Sequence, residues 1–181
     1  MSELQRFLPA DQDVLVGLFY RIGQWMSHID DTDTTEKSEQ AEEEQMFKIL
    51  NKLANSKNTG QLCSEIAEES IRQKGSWARW SQNTDTVLAD VAKAKELIKG
   101  QSNAQEFVSF GRCLVTIATS VARAYREAND EEHKETGFMS WLSEKKANVA
   151  LALSDFDAHK DLNISPAEDT ALTELVDVLK S

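Results

Sequence analysis

Apolar residues recur at steps of three and four along most of this chain, with few glycines or prolines to interrupt them. Between Val14 and Ile29 they are Val14, Leu15, Leu18, Phe19, Ile22, Trp25, Met26 and Ile29. Side chains three and four apart share one face of an α-helix, so this spacing makes a buried stripe on a helix and scatters over both faces of a strand. Only seven Gly and two Pro occur in 181 residues, which suits long helices and argues against a turn-rich sandwich or barrel. No segment alternates apolar and polar residues, so no sheet is expected.

The same spacing predicts the other helices. The first is capped by Asp11 or Asp13. A second follows an acidic run, with Glu42, Glu43 and Glu44 in its first turn and Met46, Phe47, Ile49, Leu50 and Leu53 inward. A third, about 61 to 73, buries Leu62, Cys63, Ile66, Ala67 and Ile71; Gly75 ends it and Ser76 caps the next. The fourth runs unbroken through Trp77, Trp80, Val87, Leu88, Val91 and Ile98 to Gly100. The fifth uses Phe107, Phe110, Leu114, Ile117, Val121 and Tyr125, and the sixth Phe138, Trp141, Leu142, Val149, Leu151 and Leu153. The last begins at Ser165-Pro166, a cap followed by Pro at the first helical position, and buries Leu172, Leu175, Val176 and Leu179. The reading is an all-α fold, a single helical domain over residues 1–181, with about seven helices and mostly antiparallel neighbours. Trp25, Phe47, Leu114, Ile117 and Leu175 are expected in its core. A weak internal repeat, about 14–54 and 110–150, is suggested because Leu18, Trp25 and Ile29 fall on Leu114, Val121 and Tyr125 at one constant shift.

The net charge is −11. It repels nucleic acid and an anionic lipid surface, leaving cations or basic patches on other proteins as the expected partners. Cys63 and Cys113 each sit in an apolar helical pattern and outside any CxxC pair, so two reduced core thiols are expected. The N-terminus MSELQRFLPADQ lacks the pattern of a signal peptide, and the stretch CLVTIATSVA is too short to span a bilayer. The expectation is a cytoplasmic protein with no direct membrane insertion. No Gly-rich phosphate loop, GxSxG or HExxH occurs. Trp77 and Trp80 are expected to pack in the core rather than stack on bases.

Three acidic clusters stand out. HIDDTDTTEKSEQAEEEQ, from His28 to Gln45, holds eight carboxylates. A second cluster comprises Glu127, Asp130, Glu131, Glu132 and Glu135. The third contains DAHKDLNISPAE, which matches a twelve-residue calcium loop: Asp157 at position 1, Asp161 at 5, Asn163 at 7, Ser165 at 9 and Glu168 at 12. It departs from the pattern at Leu162, where glycine is expected, and at His159, a nitrogen ligand where calcium prefers oxygen. A left-handed backbone at Leu162 would cost roughly 1–2 kcal/mol. The first cluster fits the template less well from Asp31 to Glu42, with Asp31, Asp33, Thr35, Glu39 and Glu42 in place but Glu36 at the glycine position. The competing reading is that these loops only cap helices and keep the surface charged.

The stretches QWMSHIDDTD with AEEEQMFKIL, and FDAHKDLNISPAEDTALTELVDVL, resemble the TerB-like, tellurite-resistance-associated proteins. The second is similar to that family's Asp-rich turn leading into a Ser-x-x-Glu helix start, although Asp161-Leu162 stands where the family has Asp-Gly. The matching pieces cover about a third of the chain. The resemblance implies a compact helical domain with an acidic, metal-binding surface, acting as an accessory in stress-response assemblies near the membrane. The functional expectation is a non-enzymatic acidic scaffold that binds calcium or magnesium weakly. A metal-free protein-interaction module is one alternative. A carboxylate-bridged di-metal enzyme is the other, using His28 with Asp31, Asp130 with His133, and inward glutamates such as Glu68 and Glu69.

Overall fold

A computed structural model describes residues 2–29, 36–127 and 164–181. Among these residues the fold is all-helical, with seven α-helices and no strand. They are α1 (Pro9–Ser27), α2 (Glu36–Asn55), α3 (Gln61–Arg72), α4 (Trp77–Trp80), α5 (Val87–Gln101), α6 (Ala104–Glu127) and α7 (Pro166–Lys180), with short 3-10 turns at Leu4–Arg6 and Lys74–Ser76. The expected sixth helix, Phe138 to Leu153, lies outside the described residues. So do Asp31 and Asp130, on which the repeat would be judged.

α1 is the central element. Twelve of its nineteen residues are buried, more than one stripe can supply, so it is packed on several sides. α2, α3, α4, α5 and α6 all contact it. Close approach is possible because two of its positions lack a side chain. A Cβ on Gly17 would stand 3.2 Å from the Trp80 indole, and one on Gly23 only 2.2 Å from Met46 Sδ. α7 closes the far side against α5 and α6. Leu114, Ile117 and Leu175 are fully buried, as their stripes require.

Several boundaries and faces differ from the sequence reading. α1 starts at Pro9, with Leu8 in the cap position and no side-chain cap. Proline's fixed φ and missing N–H suit the first helical position, so neither Asp11 nor Asp13 is needed there. α2 starts at Glu36, so Glu42, Glu43 and Glu44 sit beyond its first turn. Ser76 lies in a 3-10 turn and makes no side-chain cap. Phe47 is 41% exposed. Met46, Ile49, Leu50 and Leu53 already complete the inward stripe of α2, and Phe47 stands beside it. Trp25 is only partly buried.

The helix expected from Trp77 to Gly100 is broken at residues 81–86, and α1 holds the break in place. Buried Arg21 donates from Nε to the Asn83 carbonyl at 3.0 Å, from Nη1 to Asp90 Oδ2 at 2.7 Å and from Nη2 to Thr86 Oγ1 at 2.7 Å. Nη2 also bonds the Asn83 carbonyl. Trp77 and Trp80 are core residues, as expected. Tyr20 stacks on Trp77 at 4.5 Å, and Trp77 Nε1 donates to the Ser70 carbonyl at 2.9 Å.

The sequence reading took CLVTIATSVA as too short to cross a bilayer. The helix around it is longer: Ala104–Ala124 is long and apolar enough to do so by length and composition alone. Here its Phe110, Leu114, Ile117 and Val121 are buried in the common core.

Candidate functional site

The start of α7 is the part of the best loop match that the structure describes. Ser165 has extended backbone, and its Oγ accepts from the Glu168 N–H at 3.1 Å. Glu168 Oε2 accepts from the Ser165 N–H at 2.8 Å. This reciprocal capping box satisfies two N–H groups that a helix start otherwise leaves without partners. Pro166 fills the first helical position, as the sequence predicts. Glu168 is only 4% exposed. The residue expected to be a bidentate calcium ligand therefore serves as a cap, and a cation would have to compete with the Ser165 N–H for it. Asp157, His159, Asp161, Leu162 and Asn163 lie outside the described residues.

The described part of the first acidic run is helix, not loop. The chain is helical from Glu36 onward, so positions 6 to 12 of the twelve-residue template belong to α2. A helix spreads successive carboxylates around its axis, whereas a calcium loop wraps them about one point. Glu42 is half-buried and stands 3.5 Å from the Ser27 hydroxyl. Glu43 reaches Lys74 at 3.5 Å. Glu39 lies on α2, while Asp31, Asp33 and Thr35 lie outside the described residues. Among the described residues no group of three or more His, Cys, Asp or Glu side chains is placed to hold a metal ion.

Of the residues proposed for a di-metal centre, those described form no group of three or more that could hold a metal. His28 ends α1 on the surface, with Nδ1 2.6 Å from the Gln24 carbonyl. Glu68 is exposed. Glu69 is paired with Arg72 and accepts from Gln73 at 2.6 Å. Burial raises the Glu69 carboxyl, but Gln73 and Arg72 outweigh that and hold it below the usual carboxylate range. Asp130 and His133 lie outside the described residues.

Three polar groups that the sequence reading passed over do structural work. Arg21 clamps the α4–α5 break, as described above. Lys95, buried on α5, donates to the Val178 carbonyl at 3.2 Å and the Ser181 hydroxyl at 3.0 Å. It thereby places a cation at the C-terminal end of α7, where the helix dipole favours one. Glu65 anchors the N-terminal segment, accepting from Ser2 Oγ at 2.7 Å and from the Leu4 N–H at 2.8 Å. Burial raises its carboxyl, and the Leu4, Ser2, Gln61 and Glu3 hydrogen bonds outweigh that to lower it below 4.5. None of the three carries a motif; each is an ordinary charge on an amphipathic helix until its partner arrives from another part of the chain.

No protein-family model matches this chain, and no curated protein or solved structure shows significant similarity to it.

Proposed function

We propose that the chain is a non-enzymatic, acidic accessory protein of TerB-like type, whose surface carboxylates dock on a basic region of a protein partner. The supporting observation is the division of charge. The net charge is −11, while Arg21, Lys95 and Glu168, the buried charged residues among those described, are engaged in holding helices together. Among the described residues the carboxylates other than Glu168 therefore lie outside the buried core, where they attract positive charge over a Debye length, about 8 Å at physiological salt. Divalent cations are the second class of partner for the same groups.

A labelled lysine-rich peptide, followed by fluorescence anisotropy, tests the reading. Binding should weaken as salt rises. It should also weaken more in Glu42→Gln/Glu43→Gln/Glu44→Gln than in Asp85→Asn/Glu96→Gln/Glu174→Gln, which removes the same charge from elsewhere. Equal weakening by both triple variants would show diffuse attraction and overturn a defined docking surface. Calcium and magnesium titrations followed by melting temperature read the cation arm, since an ion that binds only the folded chain raises the midpoint. Purified protein carrying two irons per chain would favour the di-metal enzyme instead.

A further inference from the structure

Residues 2–8 lead into α1 as a strap tied down by carboxylates from distant parts of the chain. On one side, Glu65 Oε2 on α3 accepts from both Ser2 Oγ at 2.7 Å and the Leu4 N–H at 2.8 Å, while its Oε1 accepts from Gln61 Nε2 at 2.9 Å. On the other side, Arg6 donates to Glu106 Oε1 on α6 at 2.9 Å and to Ser102 Oγ at 3.1 Å, and pairs with Glu3 at 2.8 Å. Between these ties Leu4 and Phe7 are buried in the common core, at 6% and 2% exposure. Phe7 and Leu8 then have extended backbone, and Leu8 is 69% exposed. α1 starts only at Pro9, so a rotation at this extended link moves the strap and leaves the helix intact. Across the link, Gln12 Nε2 donates to the Phe7 carbonyl at 2.8 Å.

We propose that residues 2–8 are an acid-released strap: protonation of Glu65 frees Ser2 and Leu4, and the strap swings out at Phe7 and Leu8 while the helices stay packed. An ionised carboxylate only accepts hydrogen bonds, and Glu65 uses both oxygens that way, one of them twice. A proton on Oε2 meets the Leu4 N–H, which has no acceptor to offer. A proton on Oε1 meets the Gln61 amide donor instead. In either case the charge that strengthens all three bonds is gone. Burial raises the Glu65 carboxyl, and the Leu4, Ser2, Gln61 and Glu3 hydrogen bonds outweigh that to hold it below 4.5. The tie is therefore complete above 4.5 and is lost as the pH falls through the folded value. The charged groups next to these bonds are Glu3 and Arg6 on the strap and Glu106 on α6, joined through Arg6. On α3 itself Glu68 is exposed and Glu69 pairs with Arg72. α1 and α2 also pack on α3, and there Arg21, Asp13 and Glu43 are engaged with Asp90, Arg79 and Lys74. With only Leu4 and Phe7 as buried anchors, the strap belongs to the low-stability end of the fold and opens before the bundle does. Opening exposes Leu4 and Phe7 beside Leu8 and uncovers the core positions they fill.

Amide hydrogen exchange on the folded full-length chain tests the strap. Protection is read residue by residue on both sides of pH 4.5, each time against the rate of an unstructured chain at the same pH. The Leu4 and Phe7 amides should lose protection as the pH falls below that value, while Leu114 and Ile117 on α6 keep theirs. Glu65→Gln should lower Leu4 protection at neutral pH by about ten- to a hundredfold, the worth of a charge-assisted hydrogen bond, and should remove most of the acid step. Glu106→Gln should loosen the strap through Arg6 and leave the acid step in place. The proposal is overturned if Leu4 and Phe7 stay protected throughout, or if they lose protection only together with Leu114 and Ile117. Both of these outcomes are read on the parent chain and do not depend on a variant folding. An acid step of undiminished size in Glu65→Gln would overturn it as well.

Discussion

Replacing Arg21 by Met probes the buried guanidinium that joins α1 to the α4–α5 break. Methionine keeps much of the volume and removes every donor. The Asn83 carbonyl loses its Nε and Nη2 partners, and Asp90 loses the ion pair at 2.7 Å. Removing one member of a buried pair costs about 3–5 kcal/mol, because the other charge stays behind uncompensated. Here the Asp90 side chain is 25% exposed and still accepts from Thr86 Oγ1 at 3.0 Å. Water and that hydroxyl take over part of the lost interaction, so the expected loss falls to about 2–4 kcal/mol. For a chain of this size the melting temperature should drop by about 5–15 °C. Urea denaturation should show a lower midpoint with an unchanged slope, and amides around residues 81–90 should exchange faster. Asp90→Asn should cost less, since Arg21 keeps its Asn83 and Thr86 bonds. A loss below about 1 kcal/mol for Arg21→Met, or a larger loss for Asp90→Asn, would refute the clamp.

Leu114→Ala should cost about 2–5 kcal/mol, whereas Phe47→Ser should stay within about 0.5 kcal/mol, although the sequence reading assigned both residues inward; parallel thermal melts check the contrast. Ser165→Ala should cost about 0.5–2 kcal/mol in the same assay, while Glu168→Gln, which can still reach back to the Ser165 N–H, should cost less. Glu65 sets an acid limit. Its folded value lies below 4.5, so the unfolded chain binds the proton first and stability falls as the pH drops from 4.5 through the folded value. Denaturation curves in that window should show a smaller pH dependence for Glu65→Gln than for the parent. Cys63 sets an alkaline limit. Its folded value lies above 9.0, so stability should decline as the pH rises past 9.0, and less so in Cys63→Ala.

The fold class is legible because burial acts on every turn of a helix. One three-and-four stripe per helix is enough to exclude a sheet, and the stripes of α1, α2, α3, α6 and α7 face the core as their spacing demands. What the spacing hides is where a stripe is interrupted. Val87 and Val91 stay in phase with Trp77 and Trp80, so the apolar pattern runs through residues 81–86 as if the helix did. The available signal is local: Asn83, Thr84, Asp85 and Thr86 are four consecutive residues that compete for the backbone in turns. Phe47 shows the opposite error, an apolar residue assigned inward merely because its neighbours are.

The acidic loops are harder to read because two templates share one spacing. A capping box asks for Ser, two residues, then Glu. A calcium loop asks for an oxygen at position 9 and a carboxylate at position 12, the same interval, since the loop ends where a helix begins. Ser165 and Glu168 satisfy both, and no count of carboxylates in the stretch chooses between them. The choice lies in where the carboxylate points. Turned back to the Ser165 N–H at 2.8 Å, it completes the cap; turned into the loop, it would meet a cation. One side chain cannot hold both positions, so binding a cation there would cost the helix start its cap. For the opening acidic run the conflict is resolved earlier. α2 begins at Glu36, and a helix that starts midway through the template cannot also be the loop.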